Sequence, residues 1–311
     1  MLLSSLVALA IAFGGPAKPP PLRSISEPFE KVDLSDLPPV QRVAARDGTQ
    51  LAFRRYPAAA ERAKGSVVLV HGSSAGGISM HVLARAFAAA GYEACALDVR
   101  GHGESGTKGF IDYVGQLEDD LEDFCRAVAP ARPSTLVGFS SGGGFALRFA
   151  GSSRQELFSG YVLLSPFISQ DAPTYRPGGG GWVRVGVPRL VAISLLRAIG
   201  VHAFDRLPIM RFALDDAARA FLTSEYSCAL AENFRPERDY RANIRAVRRP
   251  LRLVAGRDDE VFYADRFAAL FEAERKQVPV TLVPGLGHVT LTLEPAGVHA
   301  VVSAVAAASA A

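Results

Sequence analysis

Short apolar runs alternate with amphipathic stretches along most of this chain. The runs are Ser66–Val70, Glu93–Leu97, Ser134–Val137, Tyr161–Leu164, Leu251–Ala255 and Val278–Val283. Several are apolar at every position, the mark of strands buried on both faces of a parallel sheet. Between them, Met80–Ala90, Leu117–Val128 and Phe145–Ala150 repeat their apolar residues at helical spacing. Ahead of the first run, segments near Val43 and Leu51 flank Asp47-Gly48, a dipeptide that favours a hairpin turn. Strand alternating with helix predicts an α/β fold with a largely parallel sheet. In such a fold chemistry gathers at the carboxyl ends of the strands.

Two stretches break the rhythm. Between Pro166 and Pro250 no convincing buried strand is seen. A run of glycines, Gly178–Gly181, precedes Trp182, and Leu190, Ile193, Leu196 and Ile199 then fall on one helical stripe. A structureless loop of that length is improbable inside a compact domain, so the interval reads as a helical cap inserted between two strands. The second stretch is the N-terminus. Met1 to Phe13 is apolar apart from Ser4 and Ser5, and a Gly- and Pro-rich linker follows. It is too short to span a bilayer and fits the apolar region of a signal peptide or an anchor, with Ala8 and Ala10 as small residues for cleavage. No basic residue precedes it; the first is Lys18. The expectation is export or membrane association through this segment, and otherwise a cytoplasmic protein whose apolar extension packs on the domain. The division expected is residues 1–39 as segment and linker, 40–165 with 250–311 as core, and 166–249 as cap.

Composition narrows the function. The chain has 311 residues, 49% of them hydrophobic and 21% charged, which supports a large core and excludes global disorder. A net charge of +3, with both signs interspersed, argues against a nucleic-acid partner. Three cysteines, Cys95, Cys125 and Cys228, form no CxxC pair, so neither a disulfide framework nor a structural zinc site is expected.

Two pentapeptides match Gly-x-Ser-x-Gly: Gly72-Ser73-Ser74-Ala75-Gly76 and Gly138-Phe139-Ser140-Ser141-Gly142. Each follows a strand and opens a helix, as a strained nucleophile turn must. Only the second is followed by a further pair, Gly143 and Gly144, suited to a turn with no room for side chains. Ser140 is therefore the expected nucleophile and Ser74 a chance match. A serine hydroxyl needs an imidazole to take its proton and a carboxylate to orient that imidazole. Downstream, one strand ends in Gly256-Arg257-Asp258-Asp259-Glu260-Val261 and the next in Pro284-Gly285-Leu286-Gly287-His288. The order serine, acid, histidine, each after its own strand, follows.

From about Val40 onward the chain resembles the α/β-hydrolase superfamily, most of all its monoacylglycerol lipase, lysophospholipase and serine-aminopeptidase-like branch. Four motifs carry the likeness: His71-Gly72, Asp98-Val99-Arg100-Gly101-His102-Gly103-Glu104-Ser105, the Ser140 turn, and the loops with Asp259 and His288. Asp112-Tyr113 before an acidic helix sits where that branch has it. The resemblance implies an α/β-hydrolase fold with an inserted lid, and Ser140, Asp259 and His288 as a catalytic triad, with Asp259 rather than Asp258 as the acid. It implies an oxyanion hole from the backbone N–H groups of Ser141 and Ser73, and no cofactor or metal. Under this reading His71 shapes the oxyanion loop, His102 is structural, and His81, His202 and His299 are surface or cap histidines. Cys95 packs in the core. The implied substrate is a small lipid-like ester such as a monoacylglycerol or lysophospholipid, met at a membrane surface and held by cap residues such as Leu190, Ile193 and Leu196. Two alternatives stand beside it. One is an aminopeptidase or amidase whose amine site draws on Asp205, Asp215, Asp216 and Glu225; the other is a non-catalytic binding protein of the same fold. Oligomeric state is not indicated.

Overall fold

A computed structural model describes residues 2–22 and 27–310. Its centre is a set of strands rich in β-branched and leucine side chains. Strands β3 (Ser66–Val70), β5 (Ser134–Phe139) and β6 (Gly160–Leu164) are buried at every position. With β1 (Val40–Ala44), β2 (Gln50–Tyr56), β4 (Glu93–Leu97), β10 (Leu251–Gly256) and β11 (Val280–Val283) they form one eight-stranded sheet, ordered β1-β2-β4-β3-β5-β6-β10-β11. From β4 to β11 every pairing is parallel; only β2 runs against its neighbours. The β1–β2 turn is the Asp47-Gly48 hairpin, where Gly48 takes φ +84° and the Asp47 carboxylate accepts the Thr49 N–H at 3.0 Å.

Alternate residues of β3 feed opposite faces, as the pleat requires. Val68 and Val70 join an apolar cluster with α3 (Gln116–Val128), α4 (Ser141–Ala150) and α9 (Phe267–Ala273), built on Phe124, Phe145, Phe149 and Phe271. Val67 and Leu69 join another with α2 (His81–Ala89) and α10 (Pro295–Ser309), built on Phe87, Val301 and Val305. Each fully buried Leu or Phe side chain contributes about 1.5–3 kcal/mol, so the sheet is held from both sides.

The chain between β6 and β10 lies over loops at the carboxyl ends of the strands. It is not purely helical. Besides α5 (Val187–Ala198), α6 (Asp216–Phe221), α7 (Cys228–Asn233) and α8 (Tyr240–Ala246), it holds an antiparallel sheet of β7 (Val183–Val185), β8 (Pro208–Phe212) and β9 (Glu225–Ser227). Strands of three to five residues are too short to show a period of two, so the sequence pattern did not reveal them. The N-terminal apolar segment forms α1 (Leu2–Phe13), which packs beside α5. The Arg189 side chain donates to Ile11 O at 2.9 Å, and its backbone N–H to Gly14 O at 3.3 Å. No described helix is long and apolar enough to cross a membrane.

One polar contact fastens this upper layer to the core. Helix α3 starts after Gly115 with no side-chain cap of its own. Asn233, from the end of α7, supplies one: its Oδ1 accepts the Gly115 N–H at 2.7 Å and the Leu117 N–H at 3.2 Å. Its Nδ2 donates to Glu118 Oε2 at 2.6 Å, and Arg148 Nε donates to the other Glu118 oxygen at 2.5 Å. Asn233 is fully buried. Asn233→Ala would strand a carboxylate oxygen and two N–H groups away from water. It is expected to lower stability by about 2–4 kcal/mol in urea unfolding.

Candidate active site

A tight strand-to-helix turn lies between β5 and α4. Ser140 stands there at φ 53°, ψ −117°, a conformation that costs a non-glycine residue about 1–3 kcal/mol. Its backbone is held on both sides: the N–H donates to Leu164 O at 2.9 Å, and the C=O accepts from Phe167 N at 2.9 Å and Gly144 N at 3.0 Å. The glycines around it are a steric necessity. A Cβ at Gly138 would stand 2.1 Å from Gly142 O, and one at Gly142 would stand 2.3 Å from His71 O. Because helix and strand approach this closely, the Ser140 hydroxyl is presented at the carboxyl edge of the sheet. The other pentapeptide turns differently. Ser74 also has positive φ, 69°, but its hydroxyl is buried and donates to Thr223 O at 2.6 Å.

Two neighbouring loops bring the acid and the imidazole. A Cβ on Gly256, at the end of β10, would lie 2.2 Å from Leu286 O, so the loop after β11 can lie directly against it. Asp259 Oδ2 meets His288 Nδ1 at 2.9 Å, and His288 Nε2 meets Ser140 Oγ at 3.0 Å. Protonation follows from partners: the carboxylate only accepts, so Nδ1 carries the proton and Nε2 is free to accept from the Ser140 hydroxyl. Asp259 is wholly buried, and its other oxygen accepts the Val261 N–H at 2.8 Å and the Phe262 N–H at 2.9 Å. Burial alone would raise this carboxyl's pKa. The His288 ring and the Phe262 N–H outweigh it and hold the carboxyl below its ordinary value. Phe139 and Phe262 pack on the imidazole with ring centroids 4.8 and 5.1 Å away. Asp258 is exposed and does not reach the ring. Glu260 has a part the sequence did not suggest: its Oε2 accepts the His288 backbone N–H at 2.9 Å.

The two residues expected to form an oxyanion hole lie on segments adjoining Ser140. Ser141 opens α4, where a first-turn N–H has no acceptor within its own helix. Ser73 follows Gly72, and a Cβ on Gly72 would stand 3.3 Å from Ser140 Cβ, so the two loops touch. The Ser73 hydroxyl accepts from Trp182 Nε1 at 3.0 Å. His71 is fully buried, and its ring nitrogens bond Gly72 O at 2.7 Å and the Val99 N–H at 3.2 Å.

The Asp98–Ser105 motif proves to be scaffolding. Asp98 accepts the Gly77 N–H at 2.6 Å and the Glu104 N–H at 2.9 Å. Arg100 forks onto Asp120 at 2.6 and 2.7 Å and reaches Asp47 at 2.7 Å, tying the β1–β2 hairpin to α3. Ser105 Oγ accepts the Ala52 N–H at 2.8 Å. His102 is completely buried. Cys95 is buried in the core, where burial pushes its thiol up to about 12.

Other expectations need correction. His81 is not at the surface. It is buried at the start of α2, bonding the Tyr56 hydroxyl at 2.9 Å and Asp36 at 3.2 Å. His202 lies in the upper layer beside Asp205, and His299 is exposed on α10. Ile193 is buried with Ile209 and Cys228, and Leu190 and Ile11 pack against that small cluster. These residues join the upper layer to α1, since the inner side of α5 faces its own core; Leu196, on the same helix, is half-buried. The four carboxylates considered for an amine site do not converge. Asp205 pairs with Arg197 at 2.8 Å, Asp215 caps α6 through the Ala218 N–H, Asp216 lies near Lys18 at 3.6 Å, and Glu225 pairs with Arg211 at 2.9 Å. Among the described residues no group of three His, Cys, Asp or Glu side chains could hold a metal ion. Sequence reasoning assigned no role to Trp182, Thr223 or Tyr226. Only the isolation of Trp182, the single tryptophan, behind four glycines was a signal.

Known proteins share this arrangement of strands. The solved monoglyceride lipase of Saccharomyces cerevisiae superposes with a TM-score of 0.64 at 21% identity, covering 86% of this chain and 92% of its own. The monoacylglycerol lipase of Paleococcus ferrophilus gives 0.61 at 19% identity, covering 83% and 99%. At these identities the likeness is one of fold. A monoacylglycerol lipase of Mycolicibacterium smegmatis is 35% identical over 112 residues, which is 34% of this chain and only 39% of that relative's length. The pattern described as serine aminopeptidase, S33, matches residues 61–296, a span that includes the turn at Ser140 and both loops that meet it. The chain belongs to the serine aminopeptidase S33 family and has the α/β-hydrolase fold.

Proposed function

We propose that this protein is a serine hydrolase that cleaves carboxylic esters through an acyl-enzyme. The observation that carries the reading is the unbroken path from Asp259 Oδ2 to His288 Nδ1, and from His288 Nε2 to Ser140 Oγ, at 2.9 and 3.0 Å. The Ser140 oxygen attacks the ester carbonyl carbon as its proton passes to His288 Nε2. Asp259 stabilises the imidazolium so formed. The N–H groups of Ser73 and Ser141 receive the negative oxygen, each such donor contributing about 3 kcal/mol to the transition state. His288 returns the proton to the departing alkoxide, and the alcohol leaves. Water then repeats the attack on the acyl-serine, releasing the acid and restoring the Ser140 hydroxyl.

The relatives named above as monoacylglycerol lipases support a lipid-like ester as substrate. The outer surface of the upper layer supports the same reading. Leu6, Leu9 and Phe13 of α1 are exposed, as are Val191 and Leu195 of α5 and Ile199 at its end, with Phe13 82% and Ile199 75% accessible. Residues 1–26 and 172–204 contain no Asp or Glu, while Lys18, Arg176, Arg184, Arg189 and Arg197 lie within them. Lys18 lies near Asp216 and Arg197 pairs with Asp205 and Glu232, so it is the exposed apolar side chains that suit a bilayer surface. The four acidic residues considered for an amine site are paired or cap a helix elsewhere, which supports esters over aminopeptidase substrates.

A fluorophosphonate probe is expected to label the protein once, and Ser140→Ala to abolish both labelling and ester turnover; labelling that survives removes Ser140 from this role. Asp259→Asn, which favours the wrong imidazole tautomer, is expected to lower kcat by about 10⁴-fold with KM little changed. Among p-nitrophenyl esters of rising acyl length, kcat/KM should exceed that for amino-acid p-nitroanilides; the reverse order would make it an amidase. In flotation assays the protein should bind vesicles containing phosphatidylglycerol, and Leu195→Asp with Ile199→Asp should release it.

A further inference from the structure

Ser73 has a peptide unit on each side, and a different side chain fixes each. On the near side, the Gly72 carbonyl accepts from His71 Nδ1 at 2.7 Å. A trans peptide points its C=O and N–H in opposite directions. The Ser73 N–H of that unit is therefore aimed away from His71. On the far side, the Ser74 N–H donates to the Tyr226 hydroxyl at 2.6 Å. Tyr226 comes from β9, more than a hundred residues away in sequence, and is buried.

The hydrogen bonds continue from these two side chains until they meet. Backbone N–H groups can only donate and carbonyls can only accept, so every proton has one consistent place. The Val99 N–H donates to His71 Nε2 at 3.2 Å, which leaves the His71 proton on Nδ1, facing Gly72 O. Tyr226 accepts from Ser74, so its own O–H donates to His102 Nε2 at 2.5 Å. His102 then carries its proton on Nδ1 and donates to Val99 O at 3.2 Å. The circuit closes at Val99. The two imidazoles meet edge to face with centroids 4.7 Å apart, and Phe234 packs on both. Burial lowers the pKa of each ring, in keeping with the single proton that the circuit allows it.

Thr223, in the loop just before β9, takes the remaining polar groups of Ser74. Its hydroxyl donates to Thr223 O at 2.6 Å, and its carbonyl accepts the Thr223 N–H at 2.8 Å. A serine held at φ 69° needs such restraint, because left-handed backbone is unfavourable without glycine. We infer that Tyr226 is a positioning residue: by holding the Ser74 N–H, its hydroxyl fixes the direction of the Ser73 N–H toward an oxyanion formed at Ser140. This rests on the acyl-transfer reading above. The upper layer then has a role in chemistry as well as in covering the site, since β9 sets the geometry of a loop that follows β3.

Tyr226→Phe removes only the hydroxyl, and Tyr161→Phe is its control. Tyr161 is equally buried and donates to Gln155 O at 2.8 Å, remote from this circuit. Both variants should lose similar thermal stability. Tyr226→Phe should lower kcat on a p-nitrophenyl ester by about 10- to 100-fold with KM within about threefold, because a misdirected oxyanion donor weakens the transition state and not ground-state binding. Its rate of inactivation by a fluorophosphonate should fall by the same factor. Tyr161→Phe should keep both rates. His102→Asn, which takes away the acceptor of the Tyr226 hydroxyl, should reproduce the kcat defect and serves as the independent variant. Unchanged kcat in folded Tyr226→Phe and His102→Asn, or an equal loss in Tyr161→Phe, overturns the inference. A wild-type protein that neither hydrolyses esters nor takes the probe overturns the functional reading itself.

Discussion

The absence of side chains at Gly138 and Gly142 is the constraint on which the rest of the site depends. With a Cβ at Gly142 standing 2.3 Å from His71 O, α4 could not start where it does. Three things follow from that approach. The Ser140 backbone is forced into its strained conformation, the first N–H groups of α4 are aimed at the edge of the sheet, and the loop after β3 is brought against the serine. The strain is sustained by backbone bonds to Leu164, Phe167 and Gly144. A flexible surface turn could not hold it.

In and around the core the protein buries many polar groups, and most are answered. Asp98, Arg100, His71, His102, Glu118 and Asn233 each bond two or more partners. Such groups add little net stability over well-packed apolar side chains, but each is costly to leave unpaired. Their value is in direction. An apolar contact tolerates sliding, whereas a buried carboxylate that must receive two named N–H groups does not. Strand-end loops, which would otherwise be the most mobile parts of an α/β fold, are thereby fixed relative to the sheet.

The upper layer follows the same logic with a different outer face. Inward, through Asn233, Thr223 and Tyr226, it is fastened to the core by directional bonds. Outward, α1 and α5 leave large apolar side chains in contact with water. A helix that is apolar nearly all round and only half covered is unusual for a surface helix. The contrast suits a layer whose inner side must be exact in geometry and whose outer side meets a lipid surface, as proposed.

Sequence alone determined the α/β class, the core strands, the hairpin at Asp47-Gly48, and the order of Ser140, Asp259 and His288. Each of these depends on local signals: buried runs, turn dipeptides, glycine spacing. Asp98, Arg100 and Ser105 were legible as a motif, yet their work as scaffolding was not. The same holds for His81, whose burial depends on Tyr56 and Asp36 from elsewhere in the chain. The short strands of the upper layer were missed because three residues carry no periodicity. For Leu190 and Ile193, a helical stripe shows that a face is buried without showing what buries it. Only the folded chain decided that Glu260 holds the His288 N–H, and that Tyr226 meets Ser74. Those pairings join residues far apart in sequence, and hydrogen bonds depend on ångström-scale distance and direction, which no local pattern encodes.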